Sequence, residues 1–151
     1  MSFSTLIYDA DQIVIALAGV PISKGAGESG YADGEFLRIT QNAESFTAVE
    51  GTDGTVTRSK TNRRLTTLLL RTMQSNSAVN GYLSTLLALD ENTPNGAGIG
   101  TFLAKDLGGT TVFTAQYCWL QKPADQSFDR EAKEREWTLI AVRDEIIVGG
   151  N

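Results

Sequence analysis

The chain has 151 residues, a length that fits one domain and is enough to bury a hydrophobic core without metals or disulfides. Apolar residues make up 41% and charged residues 21%, which excludes an intrinsically disordered chain. Thirteen basic against eighteen acidic residues leave a net charge of −5, which argues against a surface built to neutralise phosphates, and the absence of histidine removes the commonest general base and metal ligand.

Met1-Ser2-Phe3-Ser4-Thr5 has neither the basic start nor the apolar stretch of a signal peptide, so synthesis in a cytosol is expected, and no apolar run approaches a membrane span. Residues 3–8 and 13–17 are rich in aliphatic side chains and flank Asp9-Ala10-Asp11, a pattern that predicts two strands or one interrupted strand. Residues 18–34 carry five glycines and Pro21 and read as a long loop or extended arm. Within it, Gly25-Ala26-Gly27-Glu28-Ser29-Gly30 matches the G-x-G-x-x-G spacing of dinucleotide sites. That mechanism needs a helix after the glycines to hold a pyrophosphate, whereas a strand follows here, so a flexible arm is expected and no nucleotide.

Strands are predicted at 36–40 and 45–50, with a hairpin corner at Gly51-Thr52-Asp53-Gly54 leading into Thr55-Val56-Thr57. Arg58, Lys60, Arg63 and Arg64 then form a basic cluster without the interleaved aromatics that stack on bases, so a contact to an acidic neighbour or a solvated loop is expected. Residues 65–73 mix Thr and Leu and fit helix or strand by periodicity alone; a strand is expected, because a better helix begins just after them. Residues 77–89 read as a helix capped by Ser75 or Asn76, with Val79, Leu83, Leu86 and Leu87 on one face and turn residues from Asp90 to Gly96 ending it. Strands are predicted again at 101–107, 111–120 and 137–148, the first two joined by a two-residue turn at Gly108-Gly109. Cys118 lies in the apolar stretch Gln116-Tyr117-Cys118-Trp119-Leu120 and is expected to be buried and inert. The alternating charges of residues 129–136 read as a solvated surface that could set register against another subunit. The sum, seven or eight strands and one helix, predicts a mainly β fold, a sandwich or barrel with the helix covering one side or end.

Catalytic chemistry finds no foothold. Cys118 has no histidine partner, and the carboxylate pairs Asp33 with Glu35 and Glu50 with Asp53 lie in turn-rich segments where acids are ordinary. No enzyme, cofactor or metal site is expected.

Three stretches carry a resemblance: residues 119–128 (Trp-Leu-Gln-Lys-Pro-Ala-Asp-Gln-Ser-Phe) with Glu136-Trp137-Thr138-Leu139 after the charged run; residues 54–59 (Gly-Thr-Val-Thr-Arg-Ser); and residues 72–80 (Thr-Met-Gln-Ser-Asn-Ser-Ala-Val-Asn). Together with the opening strand from Phe3 to Asp9, they make the chain resemble the tail tube proteins of contractile-tailed bacteriophages, a family of phage structural proteins formerly of unknown function. The resemblance extends over nearly the whole chain in order and spacing. The glycine-rich arm and the turn at 93–100 match least.

The resemblance implies a β-sandwich protomer that joins its sheets with those of neighbours in a hexameric ring, the rings stacking into a tube inside a contractile sheath. Partners would then be further copies of the chain and the tail sheath, baseplate and tail terminator proteins, in the tail of the virion. DNA would pass without specific binding, since an acidic bore repels phosphate. Lys24, Gly25, Gly27, Glu28 and Tyr31 are the candidates for an inter-ring arm. Glu44, Glu50 and Asp53 are candidates for the lining of the lumen, and Arg58, Lys60, Arg63 and Arg64 for a subunit or sheath contact. Two other classes remain open: a tail terminator or capsid decoration protein, and a soluble β-sandwich that binds a ligand, against which the twelve scattered aromatics weigh.

Overall fold

A computed structural model describes residues 8, 13–22, 36–74, 77–131 and 133–150. Among these residues nine strands and one helix form, in the order β1 (Ile13–Leu17), β2 (Val20–Pro21), β3 (Leu37–Gln41), β4 (Phe46–Glu50), β5 (Val56–Lys60), β6 (Leu65–Met73), α1 (Ser77–Asn92), β7 (Gly100–Asp106), β8 (Val112–Lys122) and β9 (Glu134–Ile147). The expected mainly β fold with a single helix is what the described residues adopt. Seven strands make one antiparallel sheet in the order β2-β1-β7-β8-β9-β6-β3, and β4 with β5 makes a separate ribbon.

Period-two alternation defines the inner face. Thr66, Leu68, Leu70 and Thr72 of β6 are buried, as are Trp137, Leu139 and Ala141 of β9 and Ile15 and Leu17 of β1. On this face Phe102 of β7 meets Phe113 of β8 edge to face, with centroids 6.0 Å apart. Val79 and Leu83 of α1 join the same core, and Leu86 and Leu87 pack against it. The sheet rolls, so that β3 at one end faces β1 and β7 across a cleft of about 270 Å³ lined by Ile13, Phe36, Ile39, Ala104 and Phe113 among others.

In β8 the alternation changes phase: Phe113 and Ala115 are buried, Gln116 and Tyr117 are both exposed, and Cys118 and Leu120 are buried again. The register against β7 and β9 shifts at this point, because one extra residue of β8 is accommodated as a bulge.

Three expectations change at the level of local structure. The segment expected to be loop from residue 18 opens instead with a tight hairpin, Ala18 (φ 53°) and Gly19 (φ 81°) joining Leu17 to Val20. Two consecutive positive φ angles are what a two-residue hairpin turn needs. At Gly108-Gly109 the reverse holds: neither glycine has positive φ, and a longer loop forms, because Asp106 accepts the Gly108 amide at 2.9 Å and pairs its own amide with the Thr111 carbonyl at 3.1 Å. The helix runs on through Asp90 and Glu91 to Asn92, with Asn92 and Thr93 side chains bonded back to the carbonyls of Ala88 and Leu89. The expected strand at 3–8 and the caps Ser75 and Asn76 lie outside the described residues, except Tyr8, which is in no strand.

Candidate functional site: an unsupported ribbon

Seven of the residues singled out from the sequence come together on one feature, the β4–β5 ribbon and its base. Its register pairs Phe46 with Lys60, Ala48 with Arg58 and Glu50 with Val56. One side of the ribbon therefore carries Phe46, Ala48, Glu50, Val56, Arg58 and Lys60, and the other Thr47, Val49, Thr57 and Ser59. All ten strand positions are exposed, including Phe46 at 44%, Val49 at 67% and Val56 at 62%, and the two strands pack chiefly on each other.

The ribbon is nonetheless well formed. At its base Asn42 donates its amide to Leu65 O at 3.1 Å and accepts from the Thr67 hydroxyl at 2.7 Å, while Thr61 donates its amide to Ser45 O at 2.9 Å and its hydroxyl to Glu44 O. At its tip Gly54 takes φ 85°, open to glycine, and Asp53 Oδ1 accepts the Thr55 amide at 3.0 Å. Hydrogen bonds from Thr55 hold the Asp53 carboxyl below its ordinary value of 3.8. Glu50 and Asp53 thus sit at the tip, Arg58 midway, and Lys60, Arg63 and Arg64 at the base, beside Glu44. The Arg58 guanidinium lies over the Phe46 ring, 4.2 Å from its centroid.

What this arrangement can do is bind. A two-stranded ribbon is marginal alone in water, and apolar side chains exposed on both of its sides await a surface. The arm candidates Lys24, Gly25, Gly27, Glu28 and Tyr31 lie outside the described residues. Cys118 is buried, and burial pushes its thiol up to about 12, which keeps it protonated and inert. Among the described residues no group of three or more Cys, Asp or Glu could hold a metal ion, and no helix is long and apolar enough to cross a membrane.

Sequence reasoning missed the apolar character of the ribbon, although Phe46, Val49 and Val56 are legible as apolar residues in strands with no partner sheet. It also missed that the strands of the main sheet are apolar on both faces, which the runs Leu68-Leu69-Leu70 and Leu139-Ile140-Ala141-Val142 signal.

No family model matches the chain. It is similar to "Structural protein ORF10" of Pseudomonas phage KPP10, 21% identical over 154 residues that span all of this chain and 87% of that protein. Its fold is similar to a chain in the structure of the anti-feeding prophage tube terminating cap (TM-score 0.59, 9% identity, 97% of this chain and 95% of that chain). A chain in the sheath/tube terminator of the extracellular contractile injection system PVC, in its extended state, is also similar (TM-score 0.56, 12% identity, 93% of this chain and 95% of that chain).

Proposed function

We propose that the chain is a structural subunit of a contractile phage tail, without enzymatic activity, which forms stacked hexameric rings and builds the inner tube through which DNA is ejected. The observation that carries this reading is the β4–β5 ribbon: anchored at its base, ordered at its tip, and apolar on both exposed sides. Such an element gains its stability from another subunit. Among the described residues the rolled sheet ends in β2 and β3, and strand addition from neighbours at such edges closes a ring by rotation. Similarity to a phage structural protein and to chains of contractile tube and terminator assemblies supports a place in the tail, beside tube and sheath proteins.

In this reading the ribbon divides its work along its length. The basic base, with Lys60, Arg63 and Arg64, lies at a subunit or sheath junction, with Glu44 beside it, and the acidic tip, with Glu50 and Asp53, extends toward the bore. Acidic side chains there would repel phosphate and let DNA slide.

A second reading is a tail terminator that closes the tube with a single ring, and the fold's likeness to chains of a tube terminating cap and a sheath/tube terminator favours it. Negative-stain microscopy of the purified chain separates the two. Long hollow tubes support the tube subunit, discrete rings support the terminator, and monomers at every concentration reject both. Replacing Glu50 and Asp53 by Lys should leave assembly intact and impair ejection; unimpaired ejection removes these side chains from the bore.

A further inference from the structure

The outer face of β6, β9 and β8 is unusual for a sheet surface that meets solvent. Cross-strand register sets Leu65, Val142 and Tyr117 in one row and Thr67, Ile140 and Trp119 in the next. Polar residues are expected on the solvent side of an antiparallel sheet. Here the two rows are almost wholly apolar, with Leu65 47% and Tyr117 56% exposed. The core lies on the opposite side, where α1 packs, and on this one the base of the chain's own ribbon, with Asn42, Arg63 and Arg64, borders a hollow of about 470 Å³ beside Leu65 and Val142.

The face changes character along the strands. Beyond the apolar rows at one end stands the Arg71–Glu136 ion pair, 3.1 Å apart. At the other end stand two acids. Glu145 pairs across from Thr114 on the outer side, and Asp144, at the register shift, lines a hollow of about 330 Å³ with Leu103, Thr114 and Gln116. Both acids are exposed, and among the described residues neither forms an ion pair.

The ribbon carries the complementary set. On the side with Phe46, Ala48 and Val56 it presents two cations, Arg58 and Lys60, against one acid, Glu50 at the tip, and neither cation forms an ion pair among the described residues. We propose that the outer face of β6, β9 and β8 is the seat of the ribbon of a second copy of this chain, Phe46 and Val56 lying on the Leu65, Val142 and Tyr117 row and Arg58 and Lys60 meeting Asp144 and Glu145. The occupant is a second copy because the chain's own ribbon, rooted at the Leu65 end, is exposed on both sides. Opposite charges at the margin set register, and the apolar rows supply the adhesion. The inference rests on the tail-subunit reading and adds to it the surface on which subunits meet.

A charge-swap cycle in the full-length chain tests it. Arg58→Glu with Lys60→Glu, and separately Asp144→Lys with Glu145→Lys, should each raise the concentration needed for assembly by at least ~10-fold in sedimentation, and the four changes together should restore most of the loss. All four side chains are exposed, so unchanged circular dichroism and thermal midpoint should accompany each variant. As a second measurement, Phe46→Cys with Tyr117→Cys should give a ladder of disulfide-linked multimers under oxidation. Assembly that fails in the ribbon variant but survives Asp144→Lys with Glu145→Lys overturns this seat and leaves the tail-subunit reading standing. Homotypic assembly untouched by every variant, with loss of binding to a co-expressed sheath or cap protein, assigns the face to a different protein and overturns the second-copy occupant. A wild-type chain that never assembles overturns both the seat and the reading beneath it.

Discussion

The carboxamide oxygen of Asn80 accepts a hydrogen bond from the indole nitrogen of Trp137 at 3.0 Å, and so ties the first turns of α1 to the start of β9. The same oxygen accepts from the Thr72 hydroxyl at 2.7 Å, and the amide nitrogen donates to Met73 O at 3.1 Å. One side chain thereby satisfies a buried threonine, a buried tryptophan and a strand end. Asn80→Ala strands all three, and should lower unfolding free energy by about 1–3 kcal/mol in urea titrations of the unassembled chain. Asn80→Asp keeps the acceptor and loses the donor to Met73, so its loss should be smaller. Equal stability of Asn80→Ala and wild type would show that the junction contributes nothing.

Two glycines separate conformational entropy from close approach. At Gly81, in the exposed middle of α1, an added Cβ meets nothing within 4 Å, and Gly81→Ala should stabilise by about 0.5–1 kcal/mol. At Gly100 the added Cβ would lie 2.5 Å from Ala18 Cβ and 3.0 Å from Ala18 Cα, part of the tight turn between β1 and β2. Gly100→Ala must push that turn away and should destabilise by about 1–3 kcal/mol. Thermal midpoints that move in the same direction for both would contradict this packing.

Cys118 should resist alkylation by iodoacetamide at pH 8 in the folded chain and react after unfolding, as read by mass spectrometry. Its folded value of about 12 stands above the ordinary 9.0, so the folded state holds its proton where the unfolded state releases it. This contribution to stability is complete below pH 9 and declines as pH rises from about 9 toward 12. Cys118→Ser should flatten part of that alkaline decline.

Arg143 stands opposite Ala115 at the β8 bulge, and its Nε is buried with no hydrogen-bond partner among the described residues. An unpartnered buried polar atom opposes folding, so Arg143→Met should leave the isolated chain as stable as wild type or raise it by up to about 1 kcal/mol. A clear loss in denaturant titration would mean that the guanidinium finds a partner in solution.

Much of the fold could be read from the residues because the local signals agreed. Val79 and Leu83 repeat at helical spacing and Gly51 to Gly54 can only be a turn, whereas Leu65–Met73 fits either period as sequence and alternates only in its burial. Two of the stretches that carry the resemblance also meet in space: Asn80 accepts from both Thr72 and Trp137, and Gln74 exchanges two hydrogen bonds with Lys133 of the charged run that precedes Trp137. What could not be read was where strands sit relative to one another. Sequence assigned Glu50 and Arg58 to different surfaces, one facing a lumen and one a junction, yet register puts them on the same side of one ribbon. Charge alone separates such residues, and pairing brings them together. The Gly108-Gly109 turn failed for a local reason, since Asp106 offers its carboxylate to the loop and draws it wider than two residues.

The phase change in β8 has a consequence for how the chain tolerates length variation. Gln116 is a solvent-facing glutamine in a long strand, the extra residue that the bulge takes up between Ala115 and Tyr117. Excising it would restore strict two-residue periodicity with Phe113, Ala115, Cys118 and Leu120 still inward and Tyr117 and Trp119 still outward. A residue inserted elsewhere in the strand, with no bulge to absorb it, would instead turn every side chain beyond it to the opposite face. At this site the chain can spare a residue at little cost to its interior, whereas a few positions away it could not gain one.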